Sequence, residues 1–200
     1  MSSNQAHRQP KIQMLSATMS KDQRLVADIT GLVNQVYATA EAGLWVDGAT
    51  RTTTVEMEQM ISACQIAVAK VNRLIVGAIR IQQLDATTGE FGMLAAQPAH
   101  RGEGVGRELV RFAEHVSLQR GLANMQLELL VPRDRSHPTK EFLHAWYTRI
   151  GYQVMRTGRI DESYPHLAPL LATPCDFVVY HKPLISLART DARRGGLRPP

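Results

Sequence analysis

Apolar positions along this chain follow two alternating periods. Leu25, Ile29, Leu32, Val33, Val36, Tyr37 and Ala40 share one face of a helical repeat, which predicts an amphipathic helix. Ser20-Lys-Asp-Gln23 opens it as a capping box and Gly43 ends it. Thr53-x-x-Glu56 is a second capping box, starting a short helix to about Ala63. Strand-like runs then follow at Gln65–Val71 and Leu74–Gln83, with Asn72-Arg73 as the hairpin turn between them. Phe91–Ala96 is a short apolar segment that leads into Pro98 and three glycines, Gly102, Gly104 and Gly106. The helical period returns at Val105, Leu109, Phe112, Ala113 and Val116. Met125–Val131 alternates, with Met125, Leu127, Leu129 and Val131 on one face and Gln126 and Glu128 opposite. A further helix, entered at Pro138, is expected to bury Phe142, Leu143, Trp146 and Ile150, with Tyr147 at the edge of that stripe. Strands at Tyr152–Thr157 and Phe177–His181 complete the chain, separated by a long proline-containing connection.

The stretch from Glu90 to Val131 therefore reads as strand, glycine-rich turn, helix, strand, a βαβ unit. Glycines at a helix N-terminus leave backbone N–H groups uncovered, and with the helix dipole they form an anion site suited to pyrophosphate. Arg101 adds forked donors beside it. A Walker A loop is excluded because Arg107-Glu108 follows Gly106 where Lys-Ser/Thr is required. The dinucleotide fingerprint fails on glycine spacing, and Val131-Pro132 stands where an acidic residue should close the second strand.

Arg101-Gly102-Glu103-Gly104-Val105-Gly106 resembles motif A of the GNAT (Gcn5-related) N-acetyltransferases, Gln/Arg-x-x-Gly-x-Gly/Ala, at every specified position. Trp146-Tyr147-Thr-Arg-Ile-Gly151-Tyr152 resembles the end of that family's late helix, and Tyr147 follows Gly106 by 41 residues. The resemblance spans roughly residues 20 to 182. It implies an α/β GNAT fold, a mixed twisted sheet of about seven strands flanked by about four helices, with acetyl-CoA as co-substrate. By the same resemblance, Arg101, Gly102, Glu103, Gly104, Val105 and Gly106 hold the CoA pyrophosphate. Backbone at Met93, Leu94 and Ala96 pairs with the pantetheine arm and faces the oxyanion. Glu90, eleven residues before Arg101, matches the glutamate that serves as general base in the protein-lysine branch of the family, against a plain reading as a strand-opening residue on the solvent side. Tyr147 matches the general-acid tyrosine near the coenzyme sulfur, against a plain core-packing role.

The family often carries an asparagine after the second central strand. Pro132-Arg133 stands there in this chain, with Arg133 or Ser136 as substitutes. The acceptor pocket implied by the resemblance draws on Trp45, Asp47, Arg51, Arg159, Asp161, Glu162 and Tyr164. Their mixed charge points to a small zwitterionic amine. The implied activity is acetyl transfer to a primary amine of a small molecule by direct attack in a ternary complex. Acetylation of a protein lysine or N-terminus, or a non-catalytic acyl-CoA-binding domain, are the alternatives, and a homodimer is left open.

Composition narrows these readings. Two hundred residues with 44% hydrophobic content suit one folded domain, and no run approaches the roughly 20 apolar residues that span a bilayer. The expected division is a flexible segment over residues 1–18, a domain over 19–185 and a disordered Arg-rich tail over 186–200. The formal charge of +5 owes much to Arg189, Arg193, Arg194 and Arg198, so the domain itself is not expected to bind nucleic acid. Met1–Lys11 lacks the apolar core of a secretory signal, and two cysteines without a motif suit a reducing cytoplasm. No histidines pair at metal-ligand spacing, His137 and His144 being seven apart. Ser117, Ser136 and Cys64 lack the setting of a covalent nucleophile.

Overall fold

The computed structural model describes residues 9–184. The elements in order are β1 (Lys11–Met14), α1 (Gln23–Ala40), α2 (Thr54–Ser62), β2 (Ile66–Val71), β3 (Leu74–Gln83), β4 (Thr88–Ala96), α3 (Val105–Gln119), β5 (Asn124–Pro132), α4 (Pro138–Arg149), β6 (Gln153–Arg159) and β7 (Cys175–Pro183). A single helical turn at Ile160–Ser163 and three short 3-10 turns complete the set. No described helix is long and apolar enough to cross a membrane.

The seven strands form one sheet in the order β1-β2-β3-β4-β5-β7-β6. Only β4 and β5 run parallel, joined by the α3 crossover. The β2–β3 hairpin turns at Asn72-Arg73, both at positive φ (51° and 70°), the handedness that matches the twist of the flanking strands. Helices α3 and α4 cover one face, where Val105, Leu109, Val110 and Ala113 pack with Phe91, Leu127, Tyr147, Tyr152 and Tyr180. Helices α1 and α2 cover the other face over β2–β4, through Val26, Ile29, Val33, Met57 and Ile61.

The N-terminal segment expected to be loose contains an edge strand. Residues Lys11–Met14 pair antiparallel with β2, and Leu15 is fully buried in the α1–α2 core. The four-residue alternation was too short to stand out among polar neighbours. Residues 1–8 and the Arg-rich tail lie outside the described residues. Helix α1 is capped by Asp22, whose carboxylate accepts from the Leu25 N–H at 3.0 Å. Ser20 instead bonds back to Ala17 O within the 3-10 turn Ala17–Lys21. The Thr53–Glu56 capping box forms with both reciprocal bonds.

Candidate active site

Strands β4 and β5 pair at three positions only, Thr88↔Asn124, Gly89↔Met125 and Glu90↔Gln126. Both strands continue for six more residues, so their facing edges beyond Glu90 and Gln126 part without a partner. A bulge helps to turn β4 away. Ile79 faces two β4 residues, because pairing steps from Arg80↔Gly92 to Ala78↔Ala95, and Met93 takes φ +48°. A bulge adds a residue and sharpens the local bend. It also shifts the alternation, so Phe91 packs under α3 and α4 while Met93 packs under α1 and α2.

The parted strands open onto a cavity of about 600 Å³ lined by Glu90, Phe91, Met93, Leu94, Glu128, Tyr147 and residues of the surrounding loops. Ala96 lies beyond the cavity, paired with Gly77 of β3.

Glu90 sits at the fork. Gln82 donates to its Oε2 and Gln126 donates to its Oε1 at 3.3 Å. Burial is the main influence on its carboxyl and pushes the pKa up. The Gln82 bond opposes this, Glu128 adds to it, and Gln126 and Arg80 pull it back. The half-buried placement is not that of a strand-opening residue on the solvent side.

Tyr147 is 5% exposed and Phe142 is 52% exposed, the reverse of the order expected from the helix stripe. The phase of α4 is decided by an aromatic cluster. Tyr147 meets Trp146, Phe91, Tyr152 and Tyr180 at centroid separations of 5.0, 6.0, 6.1 and 6.1 Å. Phe142 lies instead under the Arg101 guanidinium, 5.8 Å from its ring centre. Burial holds the Tyr147 phenol far above its ordinary range, so at neutral pH it remains a proton donor.

The glycine turn leads into α3 from the end of β4. Gly102 and Gly104 take φ +89° and +79°, a region costly for residues with a Cβ. Gly104 is the N-cap of α3, and no side chain caps this terminus. Arg101, Gly102 and Glu103 are exposed, the Glu103 carboxylate is drawn to His100 Nδ1 at 2.8 Å, and Val105 anchors the turn in the core at 2% exposure. The result is an open helix N-terminus with a guanidinium beside it, which fits a pyrophosphate. Arg133 and Ser136 are otherwise engaged, by Asp176 at 2.7 Å and Glu141 at 2.6 Å.

Of the acceptor candidates, Trp45, Arg51 and Tyr164 line the cavity, whereas Asp47, Arg159, Asp161 and Glu162 do not. Arg159 and Asp161 pair with each other at the surface. The cavity also takes residues the sequence reading passed over: Tyr37, Glu41, Arg80, Gln82, Glu128 and Lys140. Tyr164 donates to Glu128 Oε2 at 2.7 Å. Glu41 and Lys140, 8% and 4% exposed, form an ion pair at 2.5 Å, and Trp45 Nε1 donates to the other Glu41 oxygen at 2.6 Å. Trp45 also bridges to Leu171, while Val46 N–H bonds to Leu170 O at 2.9 Å. These contacts tie together two loop segments that line the cavity through Trp45 and Leu170. The polar alternation of Gln126 and Glu128 within a central strand was the available signal for this lining. Glu41 and Lys140 gave none, being 99 residues apart.

Among the described residues no cluster of His, Cys, Asp or Glu could hold a metal ion. Burial pushes the Cys175 thiol up to about 11, so it is a poor nucleophile at neutral pH.

The acetyltransferase (GNAT) domain model matches residues 62–154, from the end of α2 past the glycine turn, Tyr147 and the start of β6. Over that stretch the chain is similar to the GNAT acetyltransferases. Solved structures share the GNAT fold across nearly their whole length. The aminoglycoside 6'-N-acetyltransferase from Enterococcus faecium is 15% identical with a TM-score of 0.63, over 88% of this chain and 98% of its own. YncA, a putative acetyltransferase from Salmonella typhimurium solved with acetyl-CoA, is 18% identical with a TM-score of 0.62, over 92% and 98%. Ard1 from Thermoplasma volcanium is 13% identical with a TM-score of 0.61, over 89% and 99%. A search of curated protein sequences finds no match.

Proposed function

We propose that this GNAT domain transfers the acetyl group of acetyl-CoA to a primary amine of a small molecule. The observation that carries this is the split between β4 and β5, which puts Glu90 and Tyr147 on one cavity and leaves strand edges free to bind a thioester arm. The glycine turn from Arg101 to Gly106 takes the pyrophosphate, and the β4 backbone at Met93, Leu94 and Ala96 takes the pantetheine.

An alkyl ammonium has a pKa near ~10 and cannot attack until it loses a proton. Glu90, its carboxyl raised by burial and lowered again by two amide donors, accepts that proton directly or through water. The amine attacks the thioester carbonyl, forming the C–N bond. The tetrahedral oxyanion is met by β4 N–H groups. Its collapse breaks the C–S bond, the Tyr147 phenol protonates the departing thiolate, and the proton shed by the new amide nitrogen restores the phenol. No covalent enzyme intermediate is involved.

The 44–46 and 170–172 segments, bonded to each other beside the cavity, narrow the room for a peptide and favour a small acceptor over a protein lysine or N-terminus. Carboxylates at Glu90 and Glu128 suit an ammonium, and Arg51 offers a partner for an acidic group on the same molecule. Titration calorimetry with acetyl-CoA, with ATP as control, tests the cofactor. Micromolar binding of acetyl-CoA alone is expected, and no binding to folded protein overturns the proposal. Thiol release in an amine screen then separates turnover from a non-catalytic acyl-CoA-binding domain.

A further inference from the structure

Glu90 lies in a hydrogen-bonded row of side chains that crosses four adjacent strands. On one side, Gln82 donates to Glu90 Oε2, and the Gln82 amide oxygen accepts from Arg80 Nη2 at 2.7 Å. On the other side, Gln126 Nε2 reaches Glu90 Oε1 at 3.3 Å, and Gln126 Oε1 meets His181 Nε2 at 2.7 Å. The register sets up this second half, since Glu90 pairs with Gln126 across β4–β5 and Gln126 pairs with His181 across β5–β7.

A side-chain amide has one donor end and one acceptor end. An ionised Glu90 accepts only, so Gln126 must present its NH2 to the carboxylate and its oxygen to the far side. That oxygen faces His181 Nε2, and two acceptors would repel, so the ring must carry its hydrogen on Nε2. His181 thereby fixes which way Gln126 points. Arg80 does the same for Gln82. Without a donor at position 181 the Gln126 amide can turn over and set its oxygen against Glu90.

We propose that His181 is a positioning residue for Glu90, acting through the Gln126 amide to keep a donor on the carboxylate. Its importance for turnover rests on the reading of Glu90 as the base; its effect on the carboxyl does not. Other charged or titratable groups that act on Glu90 are Arg80 from β3, Glu128 from β5 and Tyr164 from the segment after β6. None of them is changed by a substitution at 181.

The test is carbon-detected NMR titration of the Glu90 side-chain carboxyl in the full chain, with His181→Phe and His181→Gln as variants. Losing one hydrogen bond to the carboxylate should raise the Glu90 midpoint in His181→Phe by roughly 0.4–1 pH unit, about a two- to tenfold change in its ionisation constant. His181→Gln keeps an N–H donor and should return the midpoint close to that of the wild type. Long-range nitrogen–proton spectra of the wild type should show neutral His181 with its hydrogen on Nε2. An unchanged Glu90 midpoint in a folded His181→Phe protein, or neutral His181 protonated on Nδ1, overturns the proposal. Failure of the base reading shows elsewhere, as an undiminished acetylation rate in Glu90→Gln, so the two outcomes are distinct.

Discussion

Lys140→Met isolates the contribution of the buried ion pair beside the cavity. Lys140 and Glu41 are 4% and 8% exposed with Nζ and Oε1 2.5 Å apart, and methionine preserves most of the buried aliphatic stem. The substitution therefore removes a charge with little change in packing. It leaves the Glu41 carboxylate buried, with Trp45 Nε1 as its remaining donor. Stranding one member of such a pair costs about 3–5 kcal/mol, which for a chain of this size lowers Tm by roughly 6–20 °C. Thermal and urea unfolding of Lys140→Met, Glu41→Gln and the double variant measure the effect. The double variant should recover much of the loss, because its neutral amide still offers an acceptor to Trp45. A Lys140→Met cost below about 1 kcal/mol would show the pair behaving as a screened surface contact and refute the reasoning. Because Glu41 also orients Trp45, the single variant should weaken acceptor binding more than acetyl-CoA binding.

Gly104→Glu should abolish acetyl-CoA binding in calorimetry, since it strains a residue at φ +79° and puts negative charge on the pyrophosphate seat; unchanged affinity would remove the glycine turn from the site. Tyr147→Phe should lower turnover roughly 10-fold or more if the phenol is the acid, with acetyl-CoA affinity near that of the wild type; a normal rate would make it a packing residue. Glu90→Gln should slow acetylation mainly below about pH 8 and recover at higher pH, where free amine is present; a uniform loss across pH would argue against the base. The same variant has a stability signature. Burial holds the folded Glu90 carboxyl above its unfolded value, so the folded state binds this proton more tightly, and the group's contribution to stability falls as pH rises through the carboxylate range. The Tm of Glu90→Gln should therefore gain on the wild type as pH rises from about 4 through the carboxylate range, and a constant difference would contradict the raised carboxyl.

Local rules placed most of the elements because their signals are local. The Thr53–Glu56 box, the Asn72-Arg73 turn and the alternation in β5 all reside within a few residues, and each forms as read. The glycine turn was legible for the same reason: its spacing and its place between a strand and a helix are properties of one continuous stretch. Family resemblance then supplied roles for Glu90 and Tyr147, which the fold brings to one cavity.

Where the cavity lies, and what else lines it, depended on contacts between distant segments. The separation of β4 from β5 after three pairs, aided by the bulge at Met93, has no counterpart in hydrophobic period. The phase of α4 turned on tight aromatic packing around Tyr147, which a stripe of apolar residues cannot distinguish from burial of Phe142. Glu90 met His181 through Gln126 because the sheet order set their strands side by side, and Glu41 met Lys140 because the end of α1 and the start of α4 come together. Sequence periodicity determined the elements, since it reflects which face of each is apolar. The tertiary structure decided the polar chemistry, since a charged or amide side chain acquires its partner and its protonation only from what folding packs against it.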